Sequence, residues 1–219
     1  MRVLISGGSP VPVSAGLAAS VAASCDAVVA VDRGLDVLME AGVLPDLFCG
    51  DADSVCEEGA ELVRAAERAP AGADRPFEVE RYNPAKDYTD LSLALRAAGE
   101  RWPGTTIACI GLSSGRPDHY LGCLGCLVSW EGPVELFEDD YEGRILHGGS
   151  SWEILGRPGA RFSFVPLSEG AEVSISGMQW TLDHRRGELL SDLGISNVIT
   201  ADAADIECHE GVVGAWVFK

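Results

Sequence analysis

Residues 27–54 read "AVVAVDRGLDVLMEAGVLPDLFCGDADS", and the order of their parts decides the fold. "AVVAVD" is apolar almost throughout, as a strand buried on both faces must be. "GLDVLMEAG" is a short helix that Gly42 closes as a C-cap. "PDLFCGD" is a second buried strand. Strand, helix and strand in close succession make a βαβ unit, which demands a parallel sheet.

The same alternation extends both ways. Before it stand the strand "RVLISGG" and the Ala-rich helix "SAGLAASVAASC". After it come the helix "EEGAELVRAAERA", acidic at its start, and the strand "FEVERY". Then follow the helix "DLSLALRAAGERW", with Leu91, Ala94, Leu95 and Ala98 on one stripe, and the strand "TTIACIG". The helix "DHYLGCLGCLVSW" and the strand "VELFED" complete the series. "RAPAGADRP", residues 68–76, is a loop inside this region, not a linker. From about residue 143 helical periodicity gives way to short β-rich runs broken by Gly and Pro, such as "RFSFVPL", "EVSISGMQWTL" and "ISNVIT". The expected fold is therefore α/β. A parallel-sheet, Rossmann-like nucleotide-binding domain over residues 1–142 precedes an all-β sandwich domain over 143–219.

Bulk properties exclude several function classes. The chain has 219 residues, 47% of them hydrophobic, and a formal net charge of −18. So acidic a protein lacks the basic footprint of a nucleic-acid binder and is repelled by anionic lipid. No apolar stretch is long enough to span a bilayer. "MRVLISGGSPVPVS" reads as a first strand rather than a signal peptide, because its apolar run breaks at Gly-Gly and Pro. The expected location is cytoplasmic. The seven cysteines are scattered and odd in number, as reduced thiols would be. His119, Cys123 and Cys126 share a helix face, but no second CxxC closes a zinc shell, so packing is the better reading.

Three polar clusters interrupt the pattern where a strand gives way to a helix. Ligands of parallel sheets bind beyond such strand ends. In "GDADS", Asp51 and Asp53 are two residues apart, so an extended chain would project both carboxylates to one side. Their repulsion is relieved by a hard cation such as Mg²⁺ carried with nucleotide phosphates. A surface turn with Asp53 or Ser54 capping the next helix is the alternative. In "AKDYTDLSLAL", Asp87 or Thr89 can cap the helix, with Asp90 in its first turn. Lys86 is a cation suited to phosphate. The acids suit metal binding or acceptance of a hydroxyl proton. In "GLSSGRPDHYLGCL", a Gly- and Ser-rich loop can cradle phosphate with backbone N–H groups, and Arg116 can add a bidentate contact. Asp118 and His119 there are otherwise helix-start residues. Together the clusters point to phosphoryl or nucleotidyl transfer.

These residues resemble the motifs of the thiamine pyrophosphokinase family. "VDRGLDVLMEAGVLPDLFCGDADSV" is similar to its ADGG…GxxPDxxxGDxDS segment, "KDYTD" to its KDxTD motif, and "GLSSGRPDHYLGCL" to its GxxGGRxDHxLxN motif. "FSFVPL", "SGMQWTL" and "GISNVI" look like its C-terminal β-domain. The resemblance implies transfer of the pyrophosphoryl group of ATP to thiamine, with Mg²⁺, by a homodimer whose sites are shared between subunits. It implies Asp51, Asp53 and Asp90 as metal ligands. Those three, Arg116 and Asp118 form the reacting centre. Gly50, Ser54, Lys86, Asp87, Thr89, Ser114, Gly115 and His119 lie toward ATP. Asp90, Trp180, Ser196 and Asn197 lie toward thiamine. The chain departs from the pattern at Arg33 and Ser114, where the family has Gly, at Cys123, where it has Asn, and at Val198, where an acid is common. Competing readings are a related pyrophosphokinase acting on a hydroxymethyl-pterin and a nucleotide-binding regulatory protein without turnover. An aspartyl phosphatase is disfavoured, since its DxD ends the first strand rather than the third.

Overall fold

A computed structural model describes residues 1–70, 75–83 and 87–219. The chain divides into two compact units, residues 1–132 with 137–139, and residues 133–136 with 140–219.

The first unit alternates strands and helices: β1 (Arg2–Ser6), α1 (Ala15–Ala22), β2 (Ala27–Val31), α2 (Gly34–Glu40), β3 (Leu47–Gly50), α3 (Glu57–Arg68), β4 (Glu78–Arg81), α4 (Asp90–Arg101), β5 (Thr106–Ile110) and α5 (Pro117–Val128). Strands β5, β1, β2, β3 and β4 lie side by side in that order, every pairing parallel. All five residues of β2 and all four of β3 are buried, as their unbroken apolar runs require. Leu4, Ala30, Phe48, Ala108 and Ile110 of the sheet share one core with Leu35 and Leu38 of α2 and Val63 of α3.

Helix starts are set by local chemistry. Thr89 Oγ1 accepts the Ser92 N–H at 3.2 Å and caps α4. Pro117 opens α5. The cap of α3 corrects the expectation from "GDADS": it is Cys56, whose Sγ accepts the Gly59 N–H at 3.4 Å, and not Asp53 or Ser54. The turn between β3 and α3 is longer than a direct strand-to-cap junction, so the acids are released from capping.

Strand β6 (Val134–Phe137) leads from one unit to the other. The second unit holds β7 (Tyr141–His147), β8 (Ser150–Leu155), β9 (Arg161–Pro166), β10 (Ala171–Ser176), β11 (Leu182–Gly187), β12 (Gly194–Val198), β13 (Ala203–Glu210) and β14 (Val212–Phe218). Its pairings are antiparallel, in the orders β12-β9-β14-β7 and β11-β10-β13-β8. Phe162, Phe164 and Ala215 from the first set and Val173, Ile175, Ile206 and Cys208 from the second fill one core. Strand β11, "LDHRRG", carries no apolar alternation and escapes a pattern reading. It is an edge strand, where charge protects against further pairing. All seven cysteines are free thiols.

Candidate active site

Strands β2 and β3 are each followed by an aspartate, Asp32 and Asp51, and the charge of Asp51 acts on the Asp32 carboxyl. Asp32, directly after β2, adopts the left-handed region with φ 45°. Its Oδ1 lies within 3.4 Å of the Ala52 N–H, which donates to it. Gly50, the last residue of β3, has φ 148°, and a Cβ there would sit 1.9 Å from Asp32 Oδ1. Glycine at position 50 thus makes the space that the Asp32 carboxyl fills.

The GDADS turn differs from the expected extended geometry. Ala52 is left-handed, φ 56°, so residues 51–53 are not extended backbone. Instead Asp51 Oδ1 accepts the Asp53 N–H at 3.1 Å, an Asx-type turn. Asp53 and Ser54 are exposed, while Asp51 is half-buried.

Asp32, Asp51 and Asp90 interact as a group of carboxyls. Burial pushes the Asp32 carboxyl up to about 7, and the neighbouring charge of Asp90, then that of Asp51, pushes in the same direction. Asp90 arrives from the first turn of α4, held there by the Thr89 cap. Asp32 was not singled out from the sequence. The signal was present: like Asp51, it directly follows a fully apolar strand of a parallel sheet. The donor set, carboxylate oxygen throughout, fits a hard cation such as Mg²⁺. Among the described residues no three His, Cys, Asp or Glu side chains close into a ligand cage. Asp87 is exposed beside this cluster, and Lys86 lies outside the described residues.

The loop after β5 corrects two expectations. Its N–H groups at Leu112 and Ser113 donate to Oε1 of the buried Glu138, at 3.0 and 3.2 Å. The Ser114 N–H donates to Ser9 Oγ at 2.9 Å, and Ser114 Oγ accepts the Val11 N–H at 2.8 Å. The Leu112 and Ser113 amides are thus taken up by Glu138 and the Ser114 amide by Ser9, so these three do not form a free phosphate cradle, and Ser114 is a strut between the β1 and β5 loops. Arg116 and Asp118 grip each other through two bonds, Nε to Oδ1 at 3.1 Å and Nη2 to Oδ2 at 2.5 Å. The guanidinium holds the Asp118 carboxyl down to about 2. Asp118 is thus the partner of Arg116 rather than a member of the acid cluster. Gly115, Arg116 and His119 are exposed at the start of α5.

In the second unit Trp180 is 56% exposed, so it is not the core aromatic of a sandwich. Its backbone is clamped by Asn197, which is buried. Asn197 Oδ1 accepts the Trp180 N–H at 3.1 Å, and Asn197 Nδ2 donates to the Trp180 carbonyl at 2.7 Å. Asn197 Oδ1 also accepts the Val198 N–H at 2.9 Å, so the amide ties the Trp180 backbone to β12 and positions Trp180. Ser196 is exposed and left-handed, φ 63°, and its N–H donates to Ser163 Oγ at 3.0 Å.

Comparisons with known proteins agree with this picture. The profile described as "Thiamin pyrophosphokinase, catalytic domain" matches residues 18–135, and "Thiamin pyrophosphokinase, vitamin B1 binding domain" matches residues 155–213. The thiamine pyrophosphokinase of Bacillus subtilis is 30% identical over 190 residues, 84% of each chain. The crystal structure of a thiamin pyrophosphokinase from Geobacillus thermodenitrificans aligns over 100% of this chain and 98% of its own, with 25% identity and a TM-score of 0.80. The enzyme from Candida albicans, 15% identical, aligns over 100% of this chain and 90% of its own with a TM-score of 0.78, a likeness of fold alone. The chain belongs to the thiamine pyrophosphokinase family.

Proposed function

We propose that the protein transfers the pyrophosphoryl group of ATP to the hydroxyethyl oxygen of thiamine, giving thiamine diphosphate and AMP. The convergence of Asp32, Asp51 and Asp90 beyond parallel strands, inside the segment matched by the catalytic-domain profile, carries this reading. In it, residues 1–142 form the Rossmann-like nucleotide-binding domain and 143–219 the thiamine-binding and dimerisation domain of a cytoplasmic homodimer.

Attack by an alcohol forms an O–Pβ bond and breaks the bridge to the α-phosphate, so AMP leaves and the hydroxyl proton departs. Asp51, Asp53 and Asp90, joined by Asp32, would hold Mg²⁺, which when bound offsets polyphosphate charge. Asp90 orients the thiamine hydroxyl or accepts its proton. Arg116 reaches phosphoryl oxygens by exchanging its bond to Asp118 for them. Gly50, Ser54, Asp87, Thr89, Gly115 and His119 surround ATP, with Lys86 toward its phosphates. The exposed indole of Trp180 supplies a π-face for the thiamine cation, with Ser196 beside it.

The test is product analysis by phosphorus NMR after incubation with ATP, Mg²⁺ and thiamine. AMP with thiamine diphosphate supports the proposal; ADP with thiamine monophosphate refutes the pyrophosphoryl step. A second expectation concerns Trp180. Trp180→Ala raises KM for thiamine about tenfold, the loss of one desolvated cation–π contact, and leaves KM for ATP unchanged in steady-state kinetics. Asn197→Ala raises the same KM and also lowers Tm, because it frees the buried backbone that it clamps. An unchanged thiamine KM in both variants refutes the assignment.

A further inference from the structure

We infer that Arg33 is a polyphosphate-binding residue of the nucleotide site. The inference rests on the ATP-dependent reading above and adds a contact to it. Arg33 directly follows Asp32, at the end of β2, so its backbone is fixed beside the acid cluster. Its stem is accommodated by Gly8 in the β1 loop: a Cβ at position 8 would lie 3.2 Å from Arg33 Cβ and 3.3 Å from its backbone N. Its Nε reaches the Ser54 carbonyl at 3.4 Å, which holds the guanidinium over the turn that carries Asp51 and Asp53. The residue is exposed.

The terminal nitrogens of Arg33 form no hydrogen bond or ion pair among the described residues. That separates it from the other arginines near β-strand ends. Arg116 is bidentate on Asp118, and Arg81 pairs with Glu67 at 3.7 Å. Each of those must surrender a carboxylate before it meets a phosphate. Arg33 surrenders none.

The electrostatics favour a polyanion and not a second cation at this point. A polyphosphate brought to carboxylates in a protein of charge −18 needs a positive group on the approach side. A planar guanidinium offers paired N–H donors that match two phosphoryl oxygens of one polyphosphate, which an ammonium cannot reproduce. Arg33 thus replaces, with a side chain, part of what the committed amides of the β5 loop do not provide.

The experiment measures both turnover and binding. Arg33→Gln keeps the stem and hydrogen-bonding capacity without charge, Arg33→Gly removes the whole contact, and Arg33→Lys keeps charge without the fork. Loss of one bidentate charge-assisted contact raises KM for Mg-ATP about tenfold in the Gln and Gly variants, with partial recovery in Lys. KM for thiamine and the thermal midpoint stay at their wild-type values. Calorimetric titration with Mg-tripolyphosphate, which needs no acceptor and no chemistry, shows the same order of affinities. Equal tripolyphosphate affinity and equal KM for Mg-ATP in wild type and Arg33→Gln overturn the inference, even where wild type makes thiamine diphosphate. Conversely, Arg33-dependent tripolyphosphate binding in a protein that makes no thiamine diphosphate upholds the inference and refutes the proposed reaction.

Discussion

Asp51→Asn lowers pyrophosphoryl transfer by about 10²–10³-fold, the scale on which one preorganised electrostatic group acts in a reacting centre. Several features of the turn make this the site of a large effect. Asp51 is held by its own Asx bond to the Asp53 N–H, and Asp32 senses its charge. An amide keeps the shape and can keep the turn through its carbonyl oxygen, but it removes the charge that a hard cation requires. The far-ultraviolet circular dichroism is therefore unchanged, and the loss appears in kcat with Mg-ATP saturating. Activity within a few-fold of wild type would exclude Asp51 from the reacting centre.

Asp32→Asn has two effects of opposite sign. Turnover falls by about 10²-fold, as for removal of one charge-stabilising group, because a carboxylate that interacts with both Asp90 and Asp51 is lost. Stability without divalent cation rises. The carboxyl has an ordinary value of 3.8 and is pushed up to about 7 in the fold. Between those values the native state keeps a proton that the unfolded chain releases. The stability that depends on that proton is complete below pH 3.8 and is lost as pH rises through about 7. Asparagine has no proton to lose, so the variant outlasts wild type above pH 7 in denaturant or thermal unfolding with chelator present. The gain shrinks below pH 4, where Asp32 is protonated in both states. Equal unfolding midpoints for the two proteins at pH 8 would refute the crowding of carboxylates. The pair of effects is the expected exchange between stability and function at a site built from like charges.

The parallel sheet was legible because its central strands are buried on both faces and cannot carry alternating polar residues. β2 and β3 show this directly. β4, at the edge, is charged and was legible only by its place in the alternation. The second unit was legible as β-structure through runs such as β9 and β14, but β11 was not, because an edge strand is chosen for charge. Within the site, Asp51 and Asp90 were readable from strand-end position and helix-start position. Asp32 was equally readable by position, but its importance arises from contact across two strands and from the room left by Gly50. The hydrogen-bond partners of Ser114, Asp118 and Asn197 were not legible for one shared reason. Each is a polar residue in a suggestive loop, and only the folded geometry decides what its groups bond to. Ser114 is bound to Ser9, far off in the chain, Asp118 to Arg116, and Asn197 to the Trp180 backbone. A buried polar group is satisfied by something, and sequence spacing does not say by what.

The most direct test of the account follows the phosphorus atoms. In a single turnover with ATP labelled at the β-phosphorus, the account places the label in thiamine diphosphate and leaves AMP unlabelled, because the acceptor oxygen attacks Pβ. Label retained in ADP beside thiamine monophosphate would contradict it.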